Sequence, residues 1–258
     1  MNEFTFKNAI NITALHAKMD DFIYQKHSHQ EYAIGVTLKG YQSYHLNGQK
    51  QLSRPSGIMF FNPEEEHDGM SYNDQTLEYV MLYIKPDQLL EATTLKQLVH
   101  FQDSIIYNKK IEQNVLHLTH AIFNGQTDNI CYEYFQNLTD SIYVDTNYQH
   151  LKNDNSKLKI AKQVIKSSLV QNFNLEKISK ELNMSKYQFI RFFKKYMRIT
   201  PYQYYMNYKV ELAKHIIESH KDIYWAVSEC GFVDLTHLNK CFKHRYGVTA
   251  YQFMSKLK

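Results

Sequence analysis

The segment FFKKYMRITPYQYY (192–205) returns as CFKHRYGVTAYQFM (241–254), so that Phe193 maps onto Phe242, Lys194 onto Lys243, Thr200 onto Thr249 and Tyr202-Gln203 onto Tyr251-Gln252 at a spacing of 49. A chain that repeats a unit of this kind has built one supersecondary module twice. Upstream the spacing is 48: Asn174-Leu175 aligns with Asp222-Ile223, Glu181 with Glu229 and Asn183 with Gly231. The change of phase falls just after Asn183 and Gly231, in a turn. Each copy reads as a cap residue, a short apolar-periodic stretch, a residue that tolerates positive φ, a second cap (Ser185 or Asp234) and a second periodic stretch. That order is helix, turn, helix.

Charge is divided unevenly along the chain. Residues 156–258 hold 19 Lys+Arg against 7 Asp+Glu, a net of +12, whereas residues 1–155 hold 11 against 19, a net of −8. A basic patch of this size favours a polyanion, because neutralising phosphates releases condensed counterions. The 258 residues are enough for two domains. Cys131, Cys230 and Cys241 form no C-x-x-C pair and are odd in number, which suits a reducing compartment. There is no apolar run near the length of a membrane span, and MNEFTFKNAI has neither the basic leader nor the apolar core of a signal peptide. The expected location is the cytoplasm, with no membrane partner.

Residues 20 to about 85 are strand-like. FIYQKHSHQEYAIGVTLKGYQSYHLNGQKQL has period-2 stretches broken at Gly40 and at Asn47-Gly48, a strong hairpin signal, and IMFF and LEYVMLYIK follow as further strands. Short strands at this spacing predict a barrel or sandwich. From 87 to about 149 the period becomes helical. Val115, Leu118, Ile122 and Phe123 share one stripe, and Tyr134, Leu138, Ser141 and Ile142 share another, so the two helices can pack as an antiparallel pair. Val115, Leu118 and Ile122 are expected to carry a homodimer contact. LKNDNSK (151–157) is polar and aperiodic and reads as a linker. The expected division is therefore a domain over 1–150, a linker over 151–157 and a basic helical domain over 158–258.

In the first copy Asn174 caps LEKISKEL, Asn183 takes the turn, and Ser185 with Gln188 has capping-box spacing. Phe189, Phe192, Phe193 and Tyr196 make the apolar face of the following helix, leaving Lys186, Tyr187, Ile190, Arg191 and Lys194 elsewhere. Arg191 can make a bidentate contact to the Hoogsteen edge of guanine. In the second copy Gly231 makes the turn, Asp234 caps, Leu238, Cys241 and Phe242 look inward, and Thr236, His237, Asn239, Lys240 and Lys243 remain. The second helix of such a unit is the one presented to the major groove; the alternative for Tyr187 and Ile190 is interdomain packing. Between the copies TPYQYYMNYKVELAKHIIESH reads as one long helix with Pro201 in its first turn and Tyr205, Tyr208, Leu212, Ile216 and Ile217 along its buried stripe. If it holds the reading helices about 34 Å apart, one chain fills two consecutive major grooves.

With these residues in view, 157–257 resembles the DNA-binding domain of the AraC/XylS family of bacterial transcription regulators. Gly231-Phe232, Phe242-Lys243 and Gly247 carry the second-unit signature, and Ser185, Phe193-Lys194 and Pro201 carry the first. The resemblance implies double-stranded DNA as partner. It implies base contacts from Tyr187, Ile190 and Arg191 and from Thr236, His237 and Lys240, with Lys186 and Asn239 in secondary roles and Lys194 and Lys243 on phosphate. RNA polymerase is a further partner by analogy. Arg198 stands where the family usually has Gly, Ala250 where it usually has Pro, and Ala226-Val227 where it usually has Ile-Ala; Ala250 would leave the last helix start less fixed. Trp225 is expected to meet the other domain or a partner.

HSHQEYAIGVTLKG followed by RPSGIMFFNPEEEHDG resembles the cupin-like effector and dimerisation domain of the same family. On a strand His27, His29 and Glu31 share one face, and His67 can converge on them in a small barrel. Three readings stay open: a small polar effector bound by His27, His29, Glu31 and His67 against Tyr32, Tyr44 or Phe60; a divalent metal on the same groups; or dimerisation alone. The effector is preferred, with no metal and no cofactor. Nothing supplies a nucleophile, a phosphate loop or a complete ligand set, so the chain is expected not to be an enzyme. The alternative is a cupin-type metalloenzyme carrying a nucleic-acid-binding domain. The expected fold is α+β: a cupin-like β-barrel with a helical hairpin, then an all-α domain of two helix-turn-helix units joined by a long helix.

Overall fold

The computed structural model describes residues 2–73, 75–93, 98–150, 156–169 and 173–257, and the chain divides into two compact units, an N-terminal one rich in sheet and a C-terminal helical one. The first opens with β1 (Glu3–Ala9) and β2 (Ile12–Met19), paired in full register from Glu3↔Lys18 to Ala9↔Ile12. Their two-residue loop is Ile10-Asn11, with φ of 47° and 60°. Both central residues at positive φ is the geometry that follows the strand twist. The sequence reading began the strands near residue 20 and missed this hairpin, because Ile-Asn is not a residue pair that announces such a loop.

Next come β3 (Ile23–His27), β4 (Tyr32–Lys39), β5 (Gln42–Leu46), β6 (Gln49–Ser53), β7 (Ile58–Phe61), β8 (His67–Ser71) and β9 (Leu77–Ile84). Asn47 and Gly48, at φ 53° and 83°, close the β5–β6 hairpin where the sequence placed it. After α1 (Pro86–Glu91), β10 (Val99–Phe101) and β11 (Ile105–Ile106) come α2 (Lys109–Phe123), α3 (Asp128–Asp145) and β12 (Tyr148–His150). The stretch read as helical from 87 to about 149 therefore contains β10, β11 and the start of β12, each too short to show a period. The sheets run β1-β2-β9-β4-β7-β11 and β3-β8-β5-β6, with β10 and β12 as a separate pair.

One face of the six-stranded sheet is covered by the α2–α3 hairpin. Ile12, Ala14, Ile34, Val36, Val80 and Leu82 form one buried cluster with Ile111, Val115, Leu118, Ile122, Leu138 and Ile142. Val115, Leu118 and Ile122 are thus spent inside the protomer and are not a dimer surface, which corrects the expectation drawn from their stripe. A stripe shows that a helix face is apolar, not which surface covers it.

The C-terminal unit comprises α4 (Ser156–Ser167), α5 (Leu175–Glu181), α6 (Lys186–Met197), α7 (Pro201–His220), α8 (Ile223–Glu229), α9 (Leu235–Tyr246) and α10 (Ala250–Lys256). Of the expected linker, 151–155 lies outside the described residues, and Ser156 and Lys157 belong to α4. The caps read from sequence are in place. Asn174 accepts from the Lys177 N–H, Ser185 and Gln188 form a reciprocal capping box, and Asp222 and Asp234 accept from the N–H groups of Trp225 and His237. Asn183 and Gly231 occupy the turns at φ 53° and 62°.

The buried side of α7 differs from the expected one. Tyr205 and Ile217 are buried as read, but Tyr208, Leu212 and Ile216 are only partly so, and Tyr204, Val210 and Ala213 take their place together with Lys209, Glu211 and Lys214. Likewise Phe189 and Phe193 are buried in α6 with Met197, whereas Phe192 is half-buried and Tyr196 exposed.

Arg198 closes α6 at φ 60°, and Gly247 closes α9 at φ 76°. A side chain in the left-handed region crowds its own carbonyl, so Arg198→Gly is expected to stabilise the unit by about 1 kcal/mol. Thermal unfolding followed through Trp225, the single tryptophan, measures it; an unchanged or lower midpoint would show that the strain is relieved locally. The departure at Ala250 is also compensated. Its N–H donates to Asn239 Oδ1 at 3.0 Å, and Thr249 and Gln252 cap each other reciprocally, so the start of α10 is firmly held.

Candidate nucleic-acid interface and effector site

In α6 the capping box fixes the first turn, and Phe189 and Phe193, with rings 5.7 Å apart, anchor the inner side. Tyr187 and Lys194 are seven positions apart in the helix, and the side chains on that outer face are Tyr187 (76% exposed), Arg191 and Lys194, with Ile190 half-buried. Lys186 lies 3.9 Å from Glu176 of α5, a surface ion pair. In α9 Leu238 and Phe242 are fully buried, Cys241 is half-buried, and Thr236, Lys240 and Lys243 are exposed. His237 is half-buried with its ring 5.3 Å from Phe232. Asn239 is half-buried, and its side-chain oxygen is the one that holds Ala250. A structural role therefore falls on a residue that the sequence had placed at DNA. Trp225 lies against His220 with ring centroids 3.8 Å apart and the rings tilted by 59°, and it stays 40% exposed.

Three buried charges on α7 hold the second unit together, and the sequence reading did not find them. Lys209 donates to the Gly231 carbonyl at 2.7 Å, with its ammonium 4.8 Å from the Phe232 ring centroid, tying α7 to the turn before α9. Burial lowers its pKa. Glu211 pairs with Arg245 near the end of α9 and accepts from the Tyr246 hydroxyl at 3.0 Å. Lys214 and His215 approach the same carboxylate at 3.9 and 3.6 Å. These groups fix the reading helix to the long helix through charge-assisted bonds. The available signal was the placement of Lys209 and Lys214 among apolar neighbours in a helix otherwise split into two faces. Cys230 is buried beside this turn, and its thiol is pushed up to about 12 by burial, so it is inert.

His27 ends β3, buried, with Nδ1 2.6 Å from the Gln25 carbonyl oxygen. His29, Glu31 and His67 are also buried. His29 and His67 are brought together, ring centroids 4.9 Å apart, with Phe61 4.3 Å from His67 and Tyr83 5.1 Å from His29. Tyr44 packs on Phe61 at 5.0 Å and belongs with this group. Tyr32 and Phe60 do not. Both pack on Phe101 beneath the α2–α3 hairpin, on the opposite face of the sheet, because in a strand neighbouring side chains point to opposite sides. Two imidazoles and a nearby buried carboxylate suit either hydrogen bonding to a polar molecule or metal ligation.

Comparison with known proteins gives two matching family models: an AraC-like ligand binding domain over residues 9–128 and a helix-turn-helix domain over residues 178–256. The uncharacterized HTH-type transcriptional regulator YbfI of Bacillus subtilis is 24% identical over 223 residues, covering 83% of this chain and 81% of that protein. The HTH-type transcriptional regulator GbdR of Pseudomonas aeruginosa is 26% identical over 118 residues, 45% of this chain and 32% of GbdR. Among solved structures, ToxT from Vibrio cholerae O395 shares the fold across 96% of this chain and 98% of its own, with a TM-score of 0.63 at 11% identity. Wild-type ToxT of strain SCE256 with an unsaturated fatty acid bound aligns over the whole chain at a TM-score of 0.65 and 13% identity.

Proposed function

This chain belongs to the AraC/XylS family of transcription regulators, with a ligand-binding domain and a DNA-binding helix-turn-helix domain in one polypeptide, and on that premise we propose how it reads DNA and what it responds to. Tyr187, Ile190 and Arg191 of α6 enter one major groove and Thr236, His237 and Lys240 of α9 the next, with Lys186 at the edge of the first and Lys194 and Lys243 on phosphates. Asn239 acts through its hold on α10. The observation that carries this is the same in both copies: the inner side of the reading helix is buried and capped, and its outer side presents a basic residue flanked by groups able to meet base edges. As the long helix spans 20 residues, it is about 30 Å in length, close to one turn of duplex.

The input is a small molecule held by His27, His29, Glu31 and His67. The fatty acid bound by ToxT supports a small-molecule input in this fold. The division into 1–150, 151–157 and 158–258, a homodimer, a contact with RNA polymerase and residence in the cytoplasm belong to the same proposal. None of the described helices is long and apolar enough to cross a membrane. The metalloenzyme alternative is not favoured, because the matched families and relatives are regulators; no catalytic role is assigned to any residue.

Mixing the purified protein with fragmented genomic DNA at about 50 and 200 mM salt tests the proposal. A discrete set of fragments retained at the higher salt is expected, since sequence-blind binding by phosphate contacts falls steeply over that range. A sequence-blind population at both would contradict it.

A further inference from the structure

The α2–α3 hairpin leaves part of the sheet uncovered. Beside the buried stripe of α2 runs a second one, Leu116, Thr119, His120 and Phe123, which faces a cross-strand row of Thr5, His16 and Val80 and the half-exposed Leu38 of β4. Between them lies a groove of about 780 Å³, a size within the roughly 300–1,000 Å³ of small-molecule pockets. It is walled by Leu38, Val80, Leu116 and Phe123, and this apolar surface is left to water at a cost.

The polar residues that line the groove are Thr5, Thr119, Asn124 and three histidines. The Thr119 hydroxyl and Asn124 amide are turned back on their own helix, donating to the carbonyls of Val115 and His120. What remains is the exposed Thr5 of β1 and three imidazoles at the rim: His117 and His120 exposed on α2, and His16 on β2, whose Nε2 lies 2.9 Å from Glu78 Oε1. At the helix end Lys7 Nζ donates to the Phe123 carbonyl at 2.8 Å, adding a cation where the helix C-terminus is otherwise negative. The carboxylate of Glu78 beside this set is already engaged by His16. A ligand that buries an apolar body on these walls and presents an anionic head to the imidazoles satisfies both.

We propose that this groove binds an amphipathic carboxylate, at a site separate from the His29–His67 cluster. The two lie on opposite faces of one strand: Val80 lines the groove, whereas Tyr83, three residues on and of opposite orientation, lies against His29. A molecule in the groove touches α2 and four strands at once, so its binding stabilises the N-terminal unit by mass action.

Titration of the full-length protein with dodecanoate, below its micelle concentration and read by calorimetry, tests this. One-to-one binding is expected. Leu116→Trp, which fills the groove from a half-exposed position, should weaken it at least tenfold, and so should Leu38→Glu, which sets a negative charge on the opposite wall; His29→Ala should leave it within twofold. Dodecan-1-ol should bind at least tenfold more weakly than dodecanoate. Circular dichroism confirms that each variant is folded, and Leu38→Glu carries the test should Leu116→Trp not fold. No binding by the wild-type protein, equal binding of the alcohol, or loss of binding in His29→Ala with no effect of Leu38→Glu would each overturn the proposal.

Discussion

Glu211→Ala is expected to destabilise the C-terminal unit by about 3–5 kcal/mol, the range for removing one partner of a buried ion pair. The carboxylate is shared by Arg245, Tyr246, Lys214 and His215, and both Arg245 and Lys214 are buried. Removing it deprives a guanidinium inside the protein of its counter-charge and frees the last turn of α9 from α7. Because the acid is buried, the effect exceeds what an exposed, solvent-screened pair such as Lys180–Glu176 would show. Glu211→Gln keeps an acceptor for the Tyr246 hydroxyl and should lose less. Equilibrium denaturation of the full-length protein, followed by Trp225 fluorescence, gives the difference directly. A loss below about 1 kcal/mol would mean that the network holds the helices in register without stabilising them.

Arg191→Ala and Lys240→Ala are each expected to cost about 1–3 kcal/mol on the preferred DNA and to relax preference at one or two base pairs only. Lys194→Ala should instead weaken binding to all sequences alike and lower the salt slope by about 1. The distinction follows from position: Arg191 sits mid-helix on the exposed face, whereas Lys194 lies one turn nearer the C-terminal end, away from the base edges met by the first turns. Binding measured on the preferred site and on random duplex, at several salt concentrations, separates the two. Equal losses on both DNAs for all three variants would refute the assigned roles.

The C-terminal unit was legible because its instructions are local. A cap lies next to the helix it starts, and Asn183 or Gly231 lies in the turn it permits, so Ser185 with Gln188 and Asp234 could be read from spacing alone. Burial along α7 was less legible. Lys209 and Glu211 are buried because their partners, Gly231 and Arg245, come from 22 and 34 residues away, which no pattern within one helix reveals, whereas Lys214 pairs within α7 with Glu211 and Glu218. The same limit explains the N-terminal unit. Period 2 grouped His27, His29 and Glu31 on one strand, but β3 ends at His27 and β4 begins at Tyr32, so His29 and Glu31 lie in the connecting loop, and whether Tyr32 and Phe60 look toward the histidines or away is fixed by the register of β4 with β7 and β9. The groove beside α2 is a property of how far a helix covers a sheet, which sequence does not encode in any short window.

The most direct measurement is a hydroxyl-radical footprint of the full-length protein on the sequence it selects from a random DNA pool. Two protected blocks about 10–10.5 base pairs apart, centre to centre, on one face of the duplex are predicted, with Arg191→Ala relaxing the preference at one or two base pairs of one block and Lys240→Ala at one or two of the other. A single protected block, or protection without a shared sequence, would contradict the reading of α6 and α9 as two recognition helices of one regulator.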